Sequence, residues 1–271
     1  MEPFVHASTS TLIIEKWVTQ FPNLTSGFTT KLGGVSKNQY RECNLGHHVG
    51  EDRRSVNVNR VFVADQIEQP LHNWVSAEQT HGKRIEKITP LIRERGATRY
   101  EDAVKDCDGF YTNHPEILLT LAYADCVPLF FLHPHSKLIG IAHAGWKGTV
   151  LGIANEMVQT WVQNEGVPIN EIHVAIGPSI CTTCYVVDDP IITSVNETVA
   201  NPTSFYTEVS SGQYQLDLRG LNREILIEAG INKENILTTD YCSACDQKLF
   251  FSHRRDEGKT GRMLGFIGWK G

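Results

Sequence analysis

Three short segments constrain this chain more than any other feature: Gln79-Thr80-His81-Gly82, Ala124-Asp125-Cys126-Val127-Pro128 and Ala142-His143-Ala144-Gly145-Trp146-Lys147-Gly148. Each sets one soft or borderline metal ligand between small or turn-forming residues. Two imidazoles and one thiolate suit zinc, and a three-ligand set leaves a fourth tetrahedral position for water or substrate. The spacing alone matches no local metal motif, since the ligands stand 45 and 17 residues apart, and an isolated His or Cys in an apolar segment is ordinarily a packed core residue. The flanks argue the other way. Asp125-Cys126 follows the apolar run 117–123 and His143 follows the run 138–142, so both stand at the ends of strand-like segments, where loops expose functional groups. Gly145 and Gly148 read as points where the backbone turns tightly beside the site.

With 271 residues and 41% hydrophobic content the chain can bury a sizeable core, and no linker-like composition shift or repeat divides it. We read residues 1–271 as one domain. Twenty-five cations against 31 acids give a net charge of −6, which disfavours a polyanion-binding surface and hence nucleic acid as a partner. No run approaches the ~18 apolar residues of a membrane span, and Met1-Glu2-Pro3-Phe4-Val5-His6 lacks the charged and apolar regions of a signal peptide, so a cytoplasmic protein without membrane partners is expected. Seven cysteines without an export signal favour reduced thiols or metal ligation over a disulfide framework. Four of them form two C-x-x-C units, Cys181–Cys184 and Cys242–Cys245. A four-thiolate structural zinc is the sharp reading, but the units lie some sixty residues apart without the usual glycine turns, and the sequence reads them as ordinary loop cysteines.

Strand-like segments recur at 12–14, 27–30, 74–77, 109–112, 118–123, 129–132, 138–143, 172–176, 236–238 and 263–267. Helical spacing of apolar residues marks 51–67, 149–164 and 217–229, the last closed by Gly230. Strands interleaved with few helices predict a mixed α/β (α+β) fold with covering helices rather than a strictly alternating doubly wound sheet. Residues 188–213, rich in Thr, Ser and Asn, read as a surface excursion. Lys31-Leu32-Gly33-Gly34 lacks the Walker spacing and no G-x-G-x-x-G follows a strand, which disfavours nucleoside triphosphate and dinucleotide folds. Asn44-Leu45-Gly46-His47-His48-Val49-Gly50 puts polar side chains between glycines and reads either as a binding loop or as a solvated turn. Behind an expected aromatic strand at Phe250-Phe251, Arg254 and Arg255 could fork onto a phosphate or carboxylate or lie in an exposed charged loop.

Six ordered motifs together resemble one family: Asn-Leu-Gly-x-His-Val-Gly-Glu-Asp at 44–52, Gln-x-His-Gly at 79–82, Ala-Asp-Cys-x-Pro at 124–128, His-Ala-Gly-Trp-Lys-Gly at 143–148, Ile-Gly-Pro-x-Ile at 176–180 and Phe-Ser-x-Arg-Arg-Asp at 251–256. The chain resembles the bacterial YfiH/YlmD family, whose members have been called laccase domain-containing proteins, multicopper polyphenol oxidases and purine nucleoside phosphorylases with adenosine deaminase activity. The resemblance implies a single-domain α/β/β/α sandwich with zinc on His81, Cys126 and His143, and copper as an ion the same donors take up in vitro. It further implies phosphorolysis of adenosine, inosine and 5′-methylthioadenosine to base and ribose 1-phosphate, with hydrolytic deamination of adenosine. His253 stands where Tyr is expected and Cys181 where Gly is common.

Deamination at purine C6 needs a water acidified toward neutrality, which zinc provides, and a proton carrier. Asp125 is assigned either to that proton transfer or to holding the ring of His81 or His143. The H-x-E and P-C-x-x-C pattern of zinc cytidine-type deaminases is absent. Phosphorolysis needs cations on the phosphate and hydrogen bonds to ribose or base. Lys147, Arg254 and Arg255 are assigned to the first task, and Asn44, His48 and Gln79 to the second. The substrates expected are thus purine nucleosides and phosphate, handled by a monomer or weak homo-oligomer. A rival reading makes Cys126 a nucleophile with His143 or His81 as its base, in a hydrolase acting on an amide such as a peptidoglycan precursor. A laccase reading is weaker, because His133-Pro134-His135 is the sole His-x-His triplet.

Overall fold

Fifteen strands and six α-helices form in the computed structural model, which describes residues 1–271. In chain order they are β1 (Phe4–His6), β2 (Thr11–Ile14), α1 (Glu15–Gln20), β3 (Leu24–Thr29), α2 (Arg53–Ile67), β4 (Trp74–Ser76), β5 (Ile85–Lys87), β6 (Gly109–Thr112), β7 (Leu118–Tyr123), β8 (Val127–His133), β9 (Leu138–Ala144), α3 (Trp146–Val150), α4 (Ile153–Glu165), β10 (His173–Ile176), β11 (Val186–Asp188), α5 (Asp189–Val195), β12 (Tyr206–Ser210), β13 (Gln213–Leu216), α6 (Leu218–Glu228), β14 (Ile236–Thr238) and β15 (Met263–Trp269).

Two six-stranded mixed sheets pack face to face. One runs β1-β2-β3-β15-β7-β4 and the other β14-β10-β8-β9-β6-β5, each antiparallel within and parallel at an edge. Phe28, Leu119, Leu121 and Ile267 of the first sheet meet Phe110, Phe130, Leu132 and Ile141 of the second in the central core. The outer face of the second sheet, through Leu129, Phe131 and Val174, packs on Met157 and Trp161 of α4 and Leu221 and Leu226 of α6. The outer face of the first, through Leu118, Leu264 and Phe266, packs on Val63, Ala64 and Ile67 of α2. The result is the α/β/β/α sandwich. Because β8 and β9 are buried on both faces, their sequences read as continuous apolar runs rather than alternating ones.

Several expectations need correction. The helix expected over 149–164 is two helices, interrupted at Gly152, whose φ of +82° is a left-handed conformation that glycine adopts without a Cβ penalty. The excursion at 188–213 is structured: it carries α5 and strands of a third, three-stranded sheet, β11-β13-β12. Its strand β12 is almost wholly exposed, so no apolar alternation marks it in the sequence. Phe250 and Phe251 form no strand; both are buried, with the Phe250 ring against Phe28 and Tyr241. The segment 44–50 is a solvated turn only in its second half: Asn44, Leu45 and Gly46 are buried, whereas His48 and Gly50 are exposed.

A buried arginine locks this segment to the sandwich. Arg60 on α2 donates through Nε to the Leu45 carbonyl (2.9 Å) and through Nη1 to the carbonyls of Gly96 (2.8 Å) and Ala97 (2.9 Å).

Candidate active site

The connections β4–β5 and β7–β8 both pass from one sheet to the other, and they deliver His81 and Cys126 to the same rim of the sandwich. His143 arrives at the end of β9, where its register partner is Pro128 on β8. The potential ligand atoms of His81, Cys126 and His143 all lie within 4.8 Å of one another. The sharp exits from the sheets leave His81 and Asp125 with φ of +62° and +87°. Gly145 is required for space rather than for a turn: its φ is an ordinary −66°, but a Cβ there would sit 2.9 Å from Cys126 Sγ and 3.0 Å from His81 Cδ2. Gly148 likewise approaches the carbonyls of Gly82 and His143, each 3.1 Å from an added Cβ.

The group that organises these ligands is Asp108, just before β6, which sequence reasoning missed. One carboxylate oxygen accepts from His143 Nδ1 (2.8 Å) and the His81 amide (3.1 Å); the other accepts from the amides of Thr80 (3.0 Å) and Gly82 (2.8 Å). His143 therefore carries its proton on Nδ1 and turns Nε2 toward Cys126 and His81. Burial would raise the Asp108 carboxyl, but the bonds from His143 and the amides outweigh it and hold it below the usual range. Burial would also raise the Cys126 thiol, yet the His143 and His81 imidazoles bring it down to about 6. Burial lowers His143, whereas Cys126 and Asp108 raise it to about 9. A readily formed thiolate and two imidazoles, one with its outer nitrogen held by a carboxylate, are the donor set that zinc takes.

Asp108→Asn is expected to weaken metal binding by ~10–100-fold, because an amide cannot orient His143 and satisfy the 80–82 amides with the same charge. Competition against a chromophoric chelator measures this, and an unchanged affinity would deny Asp108 the positioning role.

Above the trio opens a cavity of about 520 Å³, within the range of small-molecule sites. Lys147, Arg254 and Arg262 line it with Asp125 as the sole carboxylate, so its wall is cationic in a chain whose net charge is −6. Tyr100, Trp146, Tyr185, Ile180 and Leu218 supply flat and apolar surface, and His48, Gln79 and His253 also face it. His48 stands exposed at its rim; desolvation by the surrounding protein first, then Arg262 and Arg60, bring its imidazole down to about 4, leaving it neutral at pH 7. The Arg254 guanidinium stacks 5.1 Å from the Tyr185 ring centroid and donates to the Val186 carbonyl (2.7 Å).

Other assignments change. Asn44 is fully buried, donating to Glu51 Oε2 (2.8 Å) and accepting from the amides of Gly46 (3.0 Å) and Arg262 (2.8 Å), so it holds Arg262 in place and does not line the cavity. Arg255 is also absent from the lining. Its guanidinium pairs with Asp256 (2.8 and 2.9 Å) and caps the carbonyls of Ser243 and Phe250 (3.0 Å each). Gln79 lines the cavity with its amide engaged at both ends by the Ala122 main chain (2.9 and 2.7 Å). Asp125 touches neither histidine: it accepts from Ser243 Oγ (2.6 Å) and the Arg254 amide (2.6 Å), so the ring-holding task falls to Asp108. Arg262, the third cation, was missed because no motif marks it. The two C-x-x-C units are not separate loop cysteines, since their four sulfurs also lie within 4.8 Å of one another.

A family model described as multi-copper polyphenol oxidoreductase laccase matches residues 25–270. A Bacillus subtilis (strain 168) protein named purine nucleoside phosphorylase YlmD is 44% identical over 99% of this chain and 98% of its own length. The chain belongs to the YfiH/YlmD family. A Geobacillus stearothermophilus relative of the same name is 45% identical over 92% of this chain and 91% of its own. The solved YfiH/YlmD fold agrees closely: a crystal structure of Bacillus licheniformis hypothetical protein YfiH superposes with a TM-score of 0.97 at 45% identity, covering 100% of both chains. No helix of this YfiH/YlmD member is long and apolar enough to cross a membrane.

Proposed function

We propose that this chain is a zinc-dependent purine nucleoside phosphorylase. It converts adenosine, inosine and 5′-methylthioadenosine with phosphate to free base and a ribose 1-phosphate, and deaminates adenosine at the same centre. The observation that carries this reading is the convergence of a three-donor metal centre and the cations Lys147, Arg254 and Arg262 in one cavity with aromatic walls. The names of the relatives point the same way. His81, Cys126 and His143 would hold the ion, which when bound would supply a Lewis acid able to acidify water and polarise substrate.

Lys147, Arg254 and Arg262 bind and orient the phosphate beneath C1′, where positive charge develops as the glycosidic bond loosens. The rings of Tyr100, Trp146 and Tyr185 take the base, and neutral His48 is free to donate or accept at the ribose or base. Asp125 positions Arg254 and, through its place beside Cys126, ties the anion pocket to the metal centre.

Adenosine incubated with and without phosphate tests this directly. Adenine should appear only with phosphate, and inosine with or without it. Lys147→Ala should raise KM for phosphate ~10-fold or more, the cost of a lost charge-assisted hydrogen bond. Absence of adenine release under any condition would sink the phosphorylase reading.

One observation favours the rival. Cys126, His143 and Asp108 form a thiol–imidazole–carboxylate relay of the kind cysteine hydrolases use. That enzyme would work in chelator and die on thiol alkylation, whereas the metalloenzyme loses turnover to the chelator.

A further inference from the structure

The cluster of Cys181, Cys184, Cys242 and Cys245 stands outside the cavity and takes no part in the reaction proposed for it. We propose that it is a second metal site: a structural zinc held by four thiolates that clips two loops together and thereby fixes the wall of the active site.

Geometry comes first. All four sulfurs lie within 4.8 Å of one another, with Cys181 Sγ 3.8 Å and Cys184 Sγ 3.4 Å from Cys245 Sγ. Four sulfurs at ~2.3 Å from a tetrahedral zinc stand ~3.8 Å apart. A disulfide would need ~2.05 Å, and all seven cysteines are free. The backbone is arranged for a charged sulfur: the amides of Cys181 (3.2 Å) and Cys245 (3.4 Å) both donate to Cys242 Sγ. Packing does not account for the cluster. None of the four joins the three hydrophobic clusters; Cys242 is buried, while Cys181, Cys184 and Cys245 are partly or fully exposed. Soft thiolates in a tetrahedral set select zinc over hard cations.

The loops that carry the two units run side by side. Ser179 pairs with Cys242 in an isolated parallel bridge, and the Ser243 amide donates to the Ser179 carbonyl (3.0 Å). From there the structure leads straight to the cavity. Ser243 Oγ donates to Asp125 Oδ1 (2.6 Å), the Ile180 amide donates to the Asp125 carbonyl (3.0 Å), and Ile180 and Tyr185 line the wall. An ion on the four cysteines would lock both flanks of Asp125, the neighbour of Cys126.

The test is metal analysis of the full-length protein purified under reducing conditions. Wild type should carry about two zinc ions per chain, one for each donor set. Cys126→Ala should keep one, and Cys184→Ser/Cys245→Ser should also keep one. Cobalt bound to the Cys126→Ala protein should show intense thiolate-to-metal charge transfer and tetrahedral ligand-field bands. The proposal is overturned if folded Cys126→Ala protein retains no zinc, if its cobalt spectrum lacks sulfur ligation, or if its intact mass reveals a disulfide within the cluster. Should the double variant fail to fold, the Cys126→Ala measurements decide alone. They depend on no catalytic activity, so failure of the phosphorylase reading leaves this inference standing, and the reverse.

Discussion

Cys126→Ala and His143→Ala should each give folded protein that has lost one equivalent of zinc and essentially all nucleoside turnover. Removing an outer hydrogen-bond partner of a metal ligand costs ~10–100-fold, and removing the ligand itself must exceed that. Cys126 supplies the only sulfur of the trio, and His143 the one ring whose tautomer is fixed by a carboxylate. The two donors left behind, a pair of imidazoles in Cys126→Ala or one imidazole and one thiolate in His143→Ala, fall short of the three protein ligands a zinc centre of this kind uses. The checks are metal content after dialysis against a weak chelator, circular dichroism and turnover of adenosine. A variant that keeps turnover while losing the metal would sink the metalloenzyme reading, and turnover surviving in Cys126→Ala would also rule out Cys126 as a hydrolase nucleophile.

The second large effect is on stability. Arg60→Met should lower it by about 3–5 kcal/mol, because the carbonyls of Leu45, Gly96 and Ala97 each lose a buried donor, at about 1–3 kcal/mol apiece before water or relaxation recovers part. In a chain of this size that is a fall in melting temperature on the order of 10 °C. Arg60 is 3% exposed and its bonds go to neutral oxygens, so no ion pair is broken and the loss is one of hydrogen bonding. Arg60→Lys should restore little, since an ammonium lacks the planar fork that reaches carbonyls on separate segments. Thermal unfolding of both variants reports the effect; a shift under about 2 °C would mean that the segments hold without the arginine.

The sheets were legible where strands lie in the sandwich interior. The apolar runs at 118–123 and 138–143 became β7 and β9 with little adjustment, because burial on both faces leaves a long hydrophobic signature. Strands at the margins were not. The edge strand β5 is half-buried throughout and β12 almost wholly exposed, so neither carries a pattern. The convergence of His81, Cys126 and His143 was legible because motif order survives in the sequence, while Asp108 was invisible: it sits in Cys107-Asp108-Gly109 with nothing to mark it, and its partners are the amides of Thr80, His81 and Gly82 and a histidine 35 residues away. Asn44 and Arg255 failed for a related reason. Their residue types suit substrate contact, but both side chains turn inward and spend their hydrogen bonds on main chain and neighbouring acids. The cysteine units were misjudged by distance along the chain, which the parallel approach of Ser179 and Cys242 makes irrelevant.

His81 and Cys126 sit on seams where the chain leaves one sheet for the other, and His143 ends a strand of the second. A cation held by all three would therefore be linked to the docking of sheet on sheet, and a half-assembled sandwich could not bind it tightly. At a thousandfold excess over its dissociation constant such an ion adds about 4 kcal/mol to the folded state. Metal supply would then set the heat tolerance and lifetime of the protein along with its chemistry.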